Sequence, residues 1–262
     1  LYQIKNPKIN NFKIIKFKKL KILEIFFLFL KIRNIYASTP GLENTTFRKS
    51  IYKKNRYIYI QHSPLSLKII YNKNAFTEFD TIFVINKSQK KDVEEINNIY
   101  KKKIKPWKNQ YLFFKNQNFI KNNLKTNKVL IAPTWGTNFY KDNFHLIIKK
   151  FLIKNGYKIE LRPHYMSFNQ NDIDQNIKND FIINSGKLDF SSFDILITDW
   201  SGIYLEYAYL TNKKSILINS KQKILNRDFY KFSKKSIDYD ARKVLGYELS
   251  LEKLNEINIF IE

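Results

Sequence analysis

Short apolar, β-branched runs punctuate this chain, and their character changes near Asn127. Beyond that point they are brief and nearly unbroken: Lys128–Thr134 (KVLIAPT), Lys158–Leu161 (KIEL), Phe181–Asn184 (FIIN), Asp194–Thr198 (DILIT) and Ser215–Ile218 (SILI). Runs of this length and continuity suit strands covered on both faces. Between them Asn143–Leu152 has helical spacing closed by Gly156, and Ser201–Leu210 reads as a second helix. Strand and helix alternating at this interval predict a parallel sheet with right-handed crossovers, and ligands beyond the carboxyl ends of its strands.

The first half is less regular. Ile35–Ala37, Tyr57–Gln61 and Thr81–Ile85 read as strands. Leu20, Leu23, Phe27 and Leu30 share a helical face, while Ile22, Ile25, Phe26 and Phe29 make the segment apolar nearly all round. It reads either as a buried helix or as one lying on a membrane surface. Lys101–Lys128 holds nine lysines and no acid, with Pro106 among them, and reads as a solvated linker with short helices. A length of 262 residues accommodates two lobes. The expected division is 1–127 and 128–262.

Charge adds to this picture once its origin is separated. The total is +24, from 47 Lys+Arg against 23 Asp+Glu. Of the 47 cations 41 are Lys, and Asn, Ile, Phe and Tyr are also abundant, as A+T-rich codons would produce. Codon bias loads both halves alike, yet residues 1–128 carry +21 and residues 129–262 only +3. The asymmetry therefore points to an anionic partner for the first lobe. The absence of Cys excludes a disulfide scaffold, a thiolate metal site and a Cys nucleophile. A three-histidine metal site would need all of His62, His145 and His164. No run reaches the roughly 18 to 20 apolar residues of a membrane span, and no signal-peptide pattern is present, so a cytosolic protein is expected. The chain starts at Leu rather than Met, as expected of a truncated N-terminus or an internal fragment.

The polar residues worth weighing stand where strands end. Gln61-His62-Ser63-Pro64 follows one strand and Arg162-Pro163-His164 another; Thr134-Trp135-Gly136 and Asp199-Trp200-Ser201-Gly202 follow two more. The last leads into a helix, whose N-terminus can hold a phosphate or can be capped by Asp199 or Ser201. His62 and His164, one per lobe, are candidates for a cleft site or for structural histidines. Glu206, on the first turns of the same helix, can accept from a ribose diol or favour the helix N-terminus. His145, between Phe144 and Leu146 in a helix, reads as structural.

Taken together, YASTPGL (Tyr36–Leu42), YIQHSPLSLKIIYNKNAFTEFDTIF (Tyr59–Phe83), VLIAPTWG (Val129–Gly136), LRPHY (Leu161–Tyr165), DILITDWSGIYLEYAYL (Asp194–Leu210) and ARKVLG (Ala241–Gly246) resemble the CDP-glycerol glycerophosphotransferase family of teichoic-acid and capsular polymer synthesis. The order and spacing of these blocks is more specific than any one of them. The resemblance implies a GT-B-like α/β fold, two Rossmann-like lobes facing across a cleft with the nucleotide on the C-terminal one. It implies transfer of an alditol phosphate, usually glycerol phosphate, from a CDP-alditol to a hydroxyl of a polymer or lipid-linked primer, releasing CMP. It also implies no metal and no cofactor beyond that donor, a polyanionic or lipid-linked acceptor, an anionic membrane surface at the cytoplasmic face, and no nucleic acid.

Carried over onto this sequence, the resemblance makes His62 the general base. His164 and Arg162 would offset charge on the pyrophosphate. Thr134, Ser201 and Gly202 would contact phosphate, Asp199 would orient their turn, Glu206 would reach the ribose, and Arg242 would close over the nucleotide. The chain departs from the family at Trp200-Ser201-Gly202, where Tyr-Ser-Ser or a similar variant is usual, and in its short N-terminal lobe. Two other classes compete: a GT-B glycosyltransferase using a nucleotide sugar, and a basic protein binding nucleic acid or lipid without catalysis. Sparse arginine and the lack of a nucleic-acid-binding signature argue against the second.

Overall fold

The computed structural model describes residues 32–45, 48–111, 114, 120, 125–250, 252–253 and 256–257. The apolar helix read over residues 20–30 lies outside the described residues. What remains forms two parallel sheets, one in each half of the chain.

The N-terminal sheet has the order β1 (Asn34–Ala37), β2 (Arg56–Tyr59), β3 (Thr81–Val84), β4 (Lys105–Lys108), with every pairing parallel. Helix α1 (Lys87–Tyr100) links β3 to β4. It begins where the Asn86 side chain accepts the Gln89 N–H at 2.8 Å, and ends where Lys101 turns left-handed. Val93 and Ile96 on its inner face pack with Tyr57, Tyr59, Phe76, Phe79, Ile82 and Val84. The linker expected over Lys101–Lys128 is corrected at Lys105–Lys108, which is a strand. Its sequence, KPWK, hides it: β4 has one neighbour, Pro106 is tolerated at such an edge, and only Pro106 is even partly buried. Helix α1 was not read from the sequence either.

The C-terminal sheet contains β5 (Lys128–Ile131), β6 (Lys158–Leu161), β7 (Ile182–Ile183), β8 (Ile195–Thr198), β9 (Ser215–Ile218) and β10 (Gly246–Leu249), ordered β10-β9-β8-β5-β6-β7 and parallel throughout. Five of these strands coincide with sequence expectations to within a few residues. The order is that of a doubly wound Rossmann sheet, with its switch point between β5 and β8. Helices α2 (Phe144–Lys154), α3 (Tyr165–Asn169), α4 (Gln175–Asp180), α5 (Ile203–Thr211) and α6 (Ile237–Leu245) complete the lobe. Val129, Ile131, Ile197 and Ile216 face one core with Phe144, Ile148 and Leu152 of α2. Leu130, Leu196 and Leu217 face the other, with Tyr204, Tyr207 and Leu210 of α5. His145 is buried beside Tyr140 and Phe181, inside the lobe as a structural histidine would be.

Helix α6 and β10 carry no obvious pattern and were also not read. Ser236 caps α6, Asp238 and Asp240 occupy its first turn, and Arg242 and Lys243 lie toward its end, matching the helix dipole. The chain then enters β10 at once through Gly246, where a Cβ would lie 2.2 Å from Leu217 Cδ1.

The lobes are tied together in two ways. Leu65, from the loop after β2, is embedded in the core around α5. In return, the segment after β9 runs back over the N-terminal lobe. Leu225 and Asn226 donate backbone N–H groups to the Ile69 carbonyl, Ser233 donates to Glu95, and Phe232 joins the core beneath β2 and β3.

Candidate active site

The strand ends converge on the switch point as the doubly wound order requires. Asp199, directly after β8, is fully buried, and its carboxylate accepts from the Thr134 N–H at 2.7 Å, Thr137 Oγ1 at 2.8 Å and Ser220 Oγ at 3.2 Å. One side chain thus joins the loops that follow β5, β8 and β9. Burial pushes its pKa up while those donors pull it down. With its oxygens committed in this way, Asp199 fixes the three loops to one another.

Arg242 does not close over a nucleotide. It is 1% exposed beneath the site, with its guanidinium 4.1 Å from the Trp200 ring, donating to the Asp199 carbonyl and to Asn219 Oδ1 at 2.8 Å. Glu248 of β10 lies 3.6 Å from its Nε. Helix α6 faces the sheet, so a residue read as an outer clamp is a brace under the β8 turn.

Gly202 caps α5 with ordinary right-handed φ and ψ, and no side chain caps that helix. Neither Asp199 nor Ser201 takes the capping role; Ser201 Oγ lies 3.5 Å from the Ile203 N–H. The need for glycine comes from the other lobe: a Cβ would meet Ser63 Oγ at 3.1 Å, Leu65 Cγ at 3.2 Å and Pro64 Cδ at 3.4 Å. The missing side chain at Gly202 is what lets the His62 loop approach α5.

His62 stands at the end of that approach. Its Nδ1 is 2.9 Å from Tyr59 Oη, and its ring meets Tyr71 edge-on at 5.9 Å. The residue is exposed at the surface, yet enough protein crowds the imidazole to lower its pKa, with the Ser38 backbone working the other way. His164 caps α3 by accepting the Met166 N–H on Nδ1 at 3.2 Å, which leaves Nε2 to carry the proton of the neutral ring. Its pKa falls to about 4 through burial, the nearby Lys223 and, from the opposite lobe, His62. The two histidines are close enough to repel each other as cations. With no anion bound, His164 is therefore neutral at physiological pH and presents its Nε2–H as a hydrogen-bond donor.

Arg162 Nη1 donates to Asn184 Oδ1 at 2.6 Å and the Gly186 carbonyl at 2.9 Å, which hold it along the β7 side. Its charge still reaches Glu206. The Glu206 carboxyl, on α5, has its pKa raised to about 7 by burial, with Tyr111 and Arg162 opposing. Tyr111 Oη lies 2.7 Å from Glu206 Oε1 and 3.1 Å from the His62 carbonyl oxygen. When Glu206 is protonated it can donate to Tyr111, which donates to His62, linking the lobes across the cleft. Thr134 and Ser201 sit half-buried on the turns after β5 and β8.

Sequence reasoning missed three of these participants. Tyr59 sits within a strand and Tyr111 in the stretch read as linker. Lys223 lies in the loop after β9, one lysine among 41. Only the rule that sites form at strand carboxyl ends, applied to β9 as to the others, would have found it.

Two parallel-sheet lobes, each bringing a histidine to the carboxyl ends of its strands, make a GT-B-like α/β fold. Residues 115–230 match the family model of CDP-glycerol:poly(glycerophosphate) glycerophosphotransferase, which bears out the resemblance carried by the sequence motifs. The matched stretch includes His164, Asp199, Glu206 and Lys223; His62 precedes it. No curated protein matches the chain. Among solved structures, TarM is similar at 12% identity and a TM-score of 0.47, over 91% of this chain and 50% of that one. The wall teichoic acid polymerase TagF, in a CDPG soak, is similar at 15% identity and a TM-score of 0.40, over 71% and 52%. The chain thus spans about half the length of each.

Proposed function

We propose that this chain transfers an alditol phosphate, most simply glycerol phosphate, from a CDP-alditol to a hydroxyl on a lipid-linked primer or growing anionic polymer, releasing CMP. The observation that carries this reading is a histidine from each lobe at the carboxyl ends of its strands, near enough for one to act on the other's charge, on a chain whose residues 115–230 match the glycerophosphotransferase family model.

The acceptor hydroxyl enters beside His62. In the tautomer that gives Nδ1–H to Tyr59 Oη, the Nε2 lone pair takes the hydroxyl proton as the oxygen attacks the phosphorus that bears the alditol. The bond from that phosphorus to the bridging oxygen breaks, and CMP departs with the electron pair. His164 donates Nε2–H to phosphate oxygen as charge develops there, a contribution that strengthens in the transition state. Glu206 reaches toward the ribose, and Thr134 and Ser201 toward the phosphates. The CDP-alditol is a substrate, and this reading takes no resident cofactor.

The +21 of residues 1–128 would turn the N-terminal lobe toward a polyanionic acceptor and an anionic membrane surface, held by salt-sensitive attraction. Among the described residues no helix is long and apolar enough to cross a membrane. The test is to supply CDP-glycerol, CDP-ribitol, a UDP-sugar and a GDP-sugar, each with a lipid-linked primer, and to measure the nucleotide released. CMP from a CDP-alditol is expected. Turnover of a nucleotide sugar alone would replace this reading with that of a glycosyltransferase.

A further inference from the structure

Lys223 is a buried cation without a counterion. It is 6% exposed, and no hydrogen-bond or carboxylate partner holds its ammonium among the described residues. Its Nζ instead lies 2.7 Å from the centre of the Trp135 ring, with its chain along Gly136, whose Cβ, if present, would touch Lys223 Cδ at 3.4 Å. A left-handed glycine (φ 72°) thus leaves room for the lysine on the β5 turn. The charged and titratable groups around it are few. From the loop after β8, Asp199 favours its charge, but the Asp199 oxygens already accept from Thr134, Thr137 and Ser220. From the loop after β6, His164 faces it. The β5 turn presents only Trp135 and Gly136.

Burial costs an ammonium part of its hydration, and here the Trp135 ring and the already committed Asp199 offset that only in part. Here the burial lowers the lysine pKa to about 7. The loops that surround it are those after β5, β6, β8 and β9, the carboxyl-end crevice where a doubly wound sheet takes its ligand. We infer that Lys223 is the cation of an anion-binding subsite between Trp135 and His164, and that its missing partner is the diphosphate group of the nucleotide donor. This rests on the nucleotide-donor reading above and supplies the positive charge that a neutral His164 does not. On binding, the dianionic group pairs with the ammonium, so a lysine only partly protonated when the site is empty takes up a proton from solvent.

The experiment uses the full chain, with inorganic pyrophosphate, CDP and CDP-glycerol as probes, titrated calorimetrically at pH 7.5 in two buffers of different ionisation enthalpy. Wild type should bind pyrophosphate with net proton uptake. Lys223→Met should bind pyrophosphate and CDP about 10- to 100-fold more weakly, as expected for loss of a charge-assisted contact, with reduced uptake. Lys223→Arg should keep most of the affinity with less uptake, because its guanidinium is already charged. Lys223→Met should also unfold no earlier than wild type, since the substitution removes an uncompensated buried charge. Wild type that ignores pyrophosphate, or a Lys223→Met variant that binds it unchanged, overturns the inference. So does a Lys223→Met variant that melts well below wild type while binding normally, which would make the lysine structural. Pyrophosphate carries neither cytidine nor alditol. Lys223-dependent pyrophosphate binding without preference for CDP would therefore keep the subsite and sink the CDP-donor reading, while wild-type turnover of CDP-glycerol by Lys223→Met would do the reverse.

Discussion

In the C-terminal lobe β8 and β9 run through the middle of six strands, and Leu196, Ile197, Ile216, Leu217 and Ile218 have 0–1% of their surface exposed. In the N-terminal lobe β4 closes a four-stranded sheet at its edge, and Trp107 keeps 51% of its surface, with Lys105 Nζ 5.0 Å from the centre of its ring. Charge follows the same division, +3 against +21 for nearly equal lengths. The difference separates two tasks. The C-terminal lobe is braced by buried polar ties such as Asp199 and Arg242, which join the loops after β5, β8 and β9. The N-terminal lobe reaches over Gly202 with the Gln61–Leu65 loop that bears His62, and meets Glu206 through Tyr111.

The comparison breaks most sharply at the two histidines. His62→Ala and His164→Ala should each lower kcat by about 10²- to 10⁴-fold, the range for general acid–base groups. The lobes should differ in binding: His62→Ala should hold CMP as wild type does, because the base touches only acceptor, whereas His164→Ala should weaken CMP several-fold. Calorimetric titration of CMP with both variants checks this. Equal loss of CMP affinity in the two would mean that the lobes do not divide donor from acceptor.

Next in size is a pair of substitutions that weighs one sheet against the other. Leu196→Ala, at a fully buried site between α5 and the sheet, should cost about 2–5 kcal/mol. Trp107→Ala on the N-terminal edge should cost about 1 kcal/mol or less, because much of its surface is already in water. Denaturant unfolding monitored by far-ultraviolet circular dichroism measures both. A larger loss at Trp107 would show that the edge is covered in solution by something bound to it.

That same contrast explains what could be read from the sequence. KVLI, ILIT and SILI are legible because a strand buried on both faces must be apolar at every position, so continuity alone announces it. KPWK and GYEL are edge strands and owe their place to one neighbour each, β3 and β9, which lie far off in sequence or behind a helix. Site residues followed the same logic. His62, His164 and Asp199 sit beside recognisable strands, and the rule about strand ends finds them. Their roles were harder: Arg242 looked like a surface clamp because nothing in a polar amphipathic helix tells which side its arginine takes. Lys223 was invisible because lysine is the commonest charge in the chain, and only its burial without a partner distinguishes it from the other 40.

A pH-dependent effect is expected where the lobes touch, at Glu206. Its carboxyl, pushed to about 7 by burial, is protonated in the folded protein over a range where the unfolded chain, at about 4.5, has already lost the proton. The stability this group lends is therefore fully present below about pH 4.5 and is lost as pH rises through 7. Asp238, raised to about 6, contributes in the same direction, so the total curve does not isolate Glu206. The difference between wild type and Glu206→Gln does, because glutamine keeps a neutral partner for Tyr111 and does not titrate. At pH 5 the two should unfold at nearly the same denaturant concentration. At pH 8 Glu206→Gln should be the more stable of the two, because only the glutamate has given up its proton there. Tyr111→Phe removes the hydroxyl that joins Glu206 to the His62 carbonyl, and should shrink that difference only if the link between lobes is what the proton controls. An unchanged difference would place the whole effect within the C-terminal lobe, with burial on α5 as its sole cause.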